Sequence, residues 1–431
     1  MALKNRVTFF LLTLAVLPAL ALAQAPVIQI SGANFRPLPL AYPTPSAVGQ
    51  VPRATLTEFD SALSFDLAAA GLFQLLDRKG FTAASSEGFS AAAINFTRWQ
   101  DVGAEMLAKA QLSMSGDELR GEVRLFNVQA AKENLRADHA VPSRDVRKLA
   151  HMLADAIYRQ LTHEPPPFNT RLAFVRKTSG GKDVYLSDWD GRNAVAVATG
   201  SINLLPAVTP DGTGVAFTSY RKGRPELYVQ HPGSAPTALV AAGQMMTGVT
   251  FSHDGRKIAY SMADGEGAQI WVANADGGQA HAVTSTQYFI NSSPSWSPDG
   301  RRLAFVSNRG GSPQIYLMSA EGGDVRRLTF RGNYNQTPDW SPRGEMIAFT
   351  ARDERNAFDV FTVDVASGKV TRLTQDQGNN EEPTFSPNGR LIIFSSTRRG
   401  FSELFVSTLD GATQLALPMD HGDYTTPAWG R

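Results

Sequence analysis

The chain has no cysteine among its 431 residues. Disulfides, thiolate catalysis and cysteine metal centres are therefore excluded. It also lacks an excess of charge: 41 Lys and Arg stand against 40 Asp and Glu, a formal net charge of +1. Loss of Lys4 and Arg6 with residues 1–23 would leave the remainder at −1. A nucleic-acid surface needs a basic face, so nucleic acid is not an expected partner. The seven histidines (His139, His151, His163, His231, His253, His281 and His421) include no pair with the spacing of a zinc motif. No G-x-S-x-G elbow, Walker loop or D-x-D-x-D-G calcium loop occurs. Catalytic residues, metals and cofactors are accordingly not expected.

Long apolar runs are scarce as well. The one at the start, Val7 to Leu20, is interrupted by Thr8, Thr13 and Pro18. It follows the basic Lys4 and Arg6 and leads to Ala21-Leu22-Ala23 before Gln24. That order is a secretory signal cleaved after Ala23, and the run is too short to favour a membrane span. No Cys follows the cleavage site, so a lipoprotein signal is excluded. The expected product is an exported, soluble protein that does not span the membrane once cleaved. Hydrophobic residues at 42% and charged residues at 19% suit a soluble globular monomer.

What the chain does contain is a repeat. Asn291-Ser292-Ser293-Pro294-Ser295-Trp296-Ser297-Pro298-Asp299-Gly300 has counterparts at Leu205 to Gly212, Gly248 to Gly255, Thr337 to Gly344 and Glu382 to Gly389. A partial copy, Thr426 to Trp429, ends the chain. Val208, Phe251, Trp296, Trp340, Phe385 and Trp429 are separated by 43, 45, 44, 45 and 44 residues. A period in the forties built from strand-like units marks propeller blades. In each unit Pro and Gly of the Pro-Asp-Gly type make a tight turn between two apolar runs. Two further short runs complete four strands per blade. The second strand occurs six times, at Phe174, Phe217, Tyr260, Phe305, Phe349 and Phe394. The first blade lacks an inner strand of its own, which the C-terminus is expected to supply, removing an open sheet edge.

Residues 24–164 differ in pattern. Leu56, Phe59, Leu63, Leu67 and Ala70 recur at helical steps, with Thr55 or Thr57 as cap and Gly71 as stop. Phe73 to Leu76 reads as a strand, and Met106 to Met114 with Leu119 to Val128 as a hairpin about Gly116. Val146, Leu149, Leu153, Ile157 and Leu161 define a second amphipathic helix, capped by Ser143. Glu164 to Pro167 reads as a short stiff linker. The expected fold is an α+β N-terminal domain over 24–164 followed by an all-β six-bladed propeller over 165–431.

Binding is the use this architecture suits. The loops leading into the inner strands should gather around the central opening, opposite the Pro-Asp-Gly turns. They carry Asn203, Met245, Met246, Tyr288, Asn291, Tyr334, Asn335, Gln336, Asn379, Asn380, Glu381, Asp423 and Tyr424. Aromatic and Met residues are favoured anchors at protein interfaces. A rival reading, an exported hydrolase or lactonase with a metal in the channel, would have to use His421, Asp423, Glu381 and Glu382. The tryptophans Trp296, Trp340 and Trp429 sit on repeated inner strands, so core packing explains them better than carbohydrate binding.

The chain resembles the TolB family of the Tol–Pal system over nearly its whole length. The resemblance rests on Phe168-Asn169-Thr170-Arg171-Leu172-Ala173-Phe174-Val175, on Leu186-Ser187-Asp188-Trp189-Asp190-Gly191 and on the terminal Pro427-Ala428-Trp429. It implies a non-enzymatic protein with two partners. One is a Pal-like, peptidoglycan-associated outer-membrane lipoprotein on the propeller face formed by the loops above. The other is a TolA-like inner-membrane protein on the mature N-terminal segment, where Val27, Ile28, Gln29 and Ile30 could add as a strand. It further implies a part in outer-membrane integrity and in invagination at division.

Overall fold

The computed structural model describes residues 36–81, 87–240, 245–263, 265–352 and 354–430. The expected signal and the segment from Val27 to Ile30 lie outside these residues.

A mixed sheet opens the fold. Its strands run in the order Phe73–Leu75, Leu38–Ala41, Met106–Ser115, Glu118–Asn127, Lys132–Pro142, with Ser46–Val48 paired to Met106–Ser115. Two long helices, α1 (Arg53–Ala69) and α3 (Val146–Thr162), pack on it, and a short α2 (Phe96–Asp101) packs through Trp99 in a separate cluster with Ala41, Leu107 and Phe126 of the sheet. Helix α3 earns its place through an apolar stripe: Leu149, Leu153 and Ile157 are all fully buried. The capping expectations fail. Helix α1 starts directly after Pro52, with Thr55 and Thr57 inside it and no side chain capping its end. Helix α3 starts after Asp145, while the Ser143 hydroxyl donates to Asp117 Oδ1 at 2.5 Å instead. The strand Lys132–Pro142 escaped sequence reading because one face of it is charged and exposed.

Residues from Arg171 onward form six sheets of four antiparallel strands. Five have sequential order, as in Asn203–Val208, Val215–Ser219, Glu226–Gln230 and Thr237–Ala238. The sixth joins both ends of the propeller. Tyr424–Gly430 pairs antiparallel with Arg171–Thr178, placing Trp429 opposite Leu172. The second strands are near-continuous apolar runs because both faces are covered; Leu391–Ser396 is buried throughout. The outer strands are two to four residues long, too short to serve as templates for edge pairing.

Every inner strand carries the same defect. Its register with the second strand shifts midway, as between Ser292 and Ser295 or between Glu381 and Thr384. At each shift one residue is left-handed: Leu205 (φ 50°), Gly248 (66°), Ser293 (51°), Thr337 (48°), Glu382 (58°) and Thr426 (46°). Non-glycine residues rarely adopt this conformation, and a bulge is where a strand stores it. Five of the six precede a proline.

The two units share one core. The apolar cluster under α1 and α3 continues into Leu172, Phe174, Leu391, Ile393, Leu404 and Val406 of the first and last blades. Trp189 lies at its centre, fully buried. Its ring stacks on Trp429 of the closing strand (5.4 Å, 8°) and on Phe65 of α1 (5.3 Å, 27°), and meets Phe168 at 5.3 Å. Its indole N–H donates to Asp66 Oδ1 at 3.0 Å. The linker is tied down: Arg390 Nε donates to Glu164 at 2.7 Å, and Asn388 Nδ2 to the Pro165 carbonyl at 2.9 Å.

Trp429→Ala would open a cavity between the closing strand and Trp189. The expected loss is about 3–5 kcal/mol of stability, read by urea denaturation. A loss below about 1 kcal/mol would mean that the stack is not structural.

Candidate partner-binding rim and channel

The Pro-Asp-Gly turns face the N-terminal unit and are locally satisfied. The Ser297 hydroxyl donates to Asp299 Oδ1 at 2.6 Å, and Arg301 N to the same oxygen at 3.1 Å. Asp211 and Asp254 repeat the arrangement. These donors hold the carboxyls low; hydroxyl and backbone bonds from Thr209 and Thr213 bring Asp211 to about 2. The turn aspartates are structural.

The leading loops crown the opposite end of the inner strands, and here the structure revises the sequence expectation. Asn203, Asn291, Asn335 and Asn380 are buried. Each amide locks the crossing from one blade to the next. Asn291 Nδ2 donates to the Ala268 carbonyl at 3.0 Å and to Gln269 Oε1 at 3.2 Å, and Thr284 Oγ1 donates to that same Gln269 oxygen at 2.7 Å. Gln314, Thr329 and Asn335 make the same trio in the next blade. Asp359, Thr374 and Asn380 make it in the one after. Asn203 Nδ2 donates to the carbonyl oxygens of Lys182 and Ser201. These amides satisfy loop backbone that would otherwise be buried unpaired. Met246 is 1% exposed, in the cluster of Leu239, Val249 and Tyr260. Tyr424 is buried edge-on to Phe174, its hydroxyl donating to the Asp420 carbonyl at 3.1 Å. These six side chains are therefore withdrawn from the exposed rim.

What remains outward is uneven. Tyr288 is 64% and Met245 54% exposed, and Ile202, Tyr220, Phe289 and Ile290 join them. All six belong to the leading loops and hairpin turns of three neighbouring blades. The other side of the rim is more polar, with Phe330 (72% exposed) as its large apolar exception: Asn379 is exposed, and Tyr334, Gln336, Glu381 and Asp423 are half-buried. Sequence reading had placed the loops but not this polarisation, since burial separates Met245 from Met246 and Tyr288 from Asn291.

The inner strands enclose a channel with a cavity of about 320 Å³. Leu205, Pro206, Val208, Val249 and Phe251 line one side, and Ser295, Asp339, Glu382 and Thr384 the other. The polar side also staples the blades. Trp340 N donates to Ser295 Oγ (2.9 Å), Phe385 N to Asp339 Oδ2 (2.7 Å) and Trp429 N to Thr384 Oγ1 (3.2 Å). Of the three remaining equivalent positions, Ala207 and Ala428 offer no side-chain acceptor and the third is Thr250. Burial raises Asp339 to about 6 and Glu382 to about 7.

The residues of the metal reading do not converge. His421 packs edge-on to Phe401 at 4.4 Å, Asp423 lies 3.8 Å from Lys177 Nζ, and Glu382 Oε2 accepts from Thr426 N at 2.5 Å. Among the described residues no group of three or more His, Asp or Glu could hold a metal ion. No described helix is long and apolar enough to cross a membrane.

Away from the rim, the junction between the units holds a buried charge cluster. His151 Nδ1 lies 2.7 Å from Asp66 Oδ2, its Nε2 lies 3.7 Å from Asp190, and Arg147 pairs with Asp190. Burial alone would lower His151, but the carboxylates of Asp66 and Asp190 outweigh it and push it to about 9. Asp155 accepts from Phe168 N (2.9 Å) and Asn169 N (3.1 Å), yet burial raises it to about 7.

The fold and its rim define a six-bladed propeller protein with a small α+β unit docked on the turn-bearing face. The TolB beta propeller domain profile matches residues 158–431, and the TolB amino-terminal domain profile matches residues 26–134. The Tol-Pal system protein TolB of Myxococcus xanthus is 61% identical over 416 residues, 96% of each chain. That of Anaeromyxobacter dehalogenans is 45% identical over 100% of this chain and 99% of its own. The crystal structure of TolB from Acinetobacter baumannii superimposes with a TM-score of 0.77 at 25% identity, covering 92% of this chain and 97% of that one. The chain belongs to the TolB family.

Four buried or half-buried groups, Asp155, Asp339, Glu382 and His151, favour mildly acidic solution, while the depressed turn carboxyls such as Asp211 are ionised throughout this range and contribute alike at pH 5.5 and 9. Asp155, Asp339 and Glu382 have folded pKa values above the ordinary 4 or so, so the folded state binds protons that the unfolded state releases between about pH 4 and 7. Their unfavourable contribution is therefore relieved as pH falls through that window. His151 is raised, so its contribution is complete below about pH 6.5 and is lost as pH rises through 9. Calorimetry should place Tm higher at pH 5.5 than at pH 9, by roughly 3 °C or more. A higher Tm at pH 9 would contradict these environments.

Proposed function

We propose that the chain is a protein-binding component of the Tol–Pal system, exported to the periplasm after cleavage at Ala23, and not an enzyme. Its rim would receive a Pal-like outer-membrane lipoprotein. Its mature N-terminal segment, around Val27, Ile28, Gln29 and Ile30, would pair with a TolA-like inner-membrane protein. Linking the two would serve outer-membrane integrity and the inward movement of that membrane at division.

The observation that carries this reading is the apolar side of the rim. A soluble propeller has no structural need to hold Tyr288, Met245, Ile202 and Ile290 in water on adjacent blades. Aromatic and Met anchors ringed by polar side chains suit a protein partner. Asn379, Tyr334, Gln336, Glu381 and Asp423 would form the polar border of that contact. The family relationship supplies the candidate partners.

Titration calorimetry with the soluble domain of the Pal-like lipoprotein tests it. Tyr288→Ala and Met245→Ala should each weaken binding about tenfold or more, with Tm unchanged because both side chains are exposed. Removing residues 24–35 should abolish the TolA-type interaction and spare the lipoprotein. Binding of neither partner by the intact chain would refute the assignment.

A further inference from the structure

The ring of left-handed residues is not uniform. In order around the channel it reads Leu205, Gly248, Ser293, Thr337, Glu382 and Thr426. One carboxylate therefore stands among aliphatic, hydroxyl and glycine positions. By the six-fold order of the blades it lies across the channel from Gly248, the one position with no side chain. Space is thus left in front of Glu382. Its flanking neighbours in the ring are Thr337 and Thr426.

Three features make this position unlike a structural carboxylate. First, Glu382 lines the cavity, yet no Lys or Arg pairs with it among the described residues; its bonds come from neutral groups, the Thr426 N–H at 2.5 Å and the Ser395 side chain. Second, burial leaves it with a pKa near 7, and Glu381 beside it is raised as well; the nearby charge acting against this is Lys182. A half-buried acid in a channel is costly to cover without a counter-charge. Third, the Thr426 side chain is 8% exposed and lines the same cavity, and its Oγ1 has no hydrogen-bond partner among the described residues. An orphaned buried hydroxyl marks a position where a donor or acceptor is missing.

We propose that the channel mouth at Glu382 and Thr426 is a receptor for one cationic side chain, a lysine or arginine, reaching in from the protein that docks on the rim. The ammonium or guanidinium donates to the Glu382 carboxylate and to Thr426 Oγ1. Its methylene stem runs along the Leu205 and Val249 side of the channel, as long basic side chains do on apolar walls. A cavity of about 320 Å³ is ample for such a side chain. The inference rests on the reading that a protein binds this face, and it adds what that protein must present. A partner with an apolar patch but no basic residue at its centre would leave Glu382 buried and uncompensated.

The test uses the mature chain and a small probe, so that it does not depend on any particular protein partner. Nα-acetyl-lysine N-methylamide is titrated at pH 7.5 and followed by saturation-transfer NMR. The Nε-acetylated form, which has the same stem without the charge, is the control. Saturable binding in the millimolar range is expected, at least tenfold weaker for the acetylated probe. Glu382→Gln and the near-isosteric Thr426→Val should each weaken the lysine probe by a factor of three to ten, by order of magnitude for a single charge-assisted or neutral bond. If Glu382→Gln does not fold, the comparison of the two probes on the unaltered chain still decides. Absence of saturable binding, equal binding of the two probes, or binding untouched by Glu382→Gln would overturn the proposal. Failure of the lipoprotein to dock would refute the function above without altering this result.

Discussion

The stacking of Trp189 on Trp429 is the contact on which the rest of the molecule depends. Trp189 sits on a hairpin turn of the first blade, and Trp429 on the strand that the C-terminus contributes to that same blade. Phe65 of α1 and Phe168, just after the linker, close over the same indole, and Asp66 accepts its N–H. One side chain thereby joins the first helix, the chain leaving the linker, the first blade and the last strand. Ring closure and docking of the N-terminal unit are parts of a single packing event.

That arrangement also orders the two ends of the closing strand. It begins at Tyr424, beneath the rim, and runs through the bulge at Thr426 to Trp429 at the junction. A rigid rim and a fixed junction are therefore properties of the same seven residues. The charge cluster of Asp66, His151, Asp190 and Arg147 adds specificity to the junction: each member is buried, and separation of the units would expose unpaired charges. The shared apolar cluster, running from Leu149 of α3 to Ile393 of the last blade, supplies the area.

Much of this was legible in the sequence because repeats average out local ambiguity. Six copies of one pattern fix blade number, strand order and the closing role of Trp429 more firmly than any single segment could. The N-terminal unit, read once, was less clear. Its strand Lys132–Pro142 was hidden by charge, and its helices begin without the expected Thr and Ser caps. At the rim, sequence reading found the loops but could not divide neighbours. Met245 and Met246, or Tyr288 and Asn291, differ in burial because the loop turns between them. The repeated asparagines look like contact residues in sequence and prove to be loop locks, a role visible only once Gln269, Gln314 and Asp359 are seen beside them. The bulges were missed because X-Pro normally signals extended backbone, not a left-handed residue. Their side chains nevertheless line the channel, and the odd one, Glu382, gives that channel its chemical character.

The α+β unit and the propeller form one cooperative body through the Trp189 junction. Differential scanning calorimetry of the mature chain tests it most directly. One transition is predicted, with the calorimetric enthalpy equal to the van't Hoff enthalpy. Two separable transitions, the N-terminal unit melting while the propeller stays folded, would contradict it.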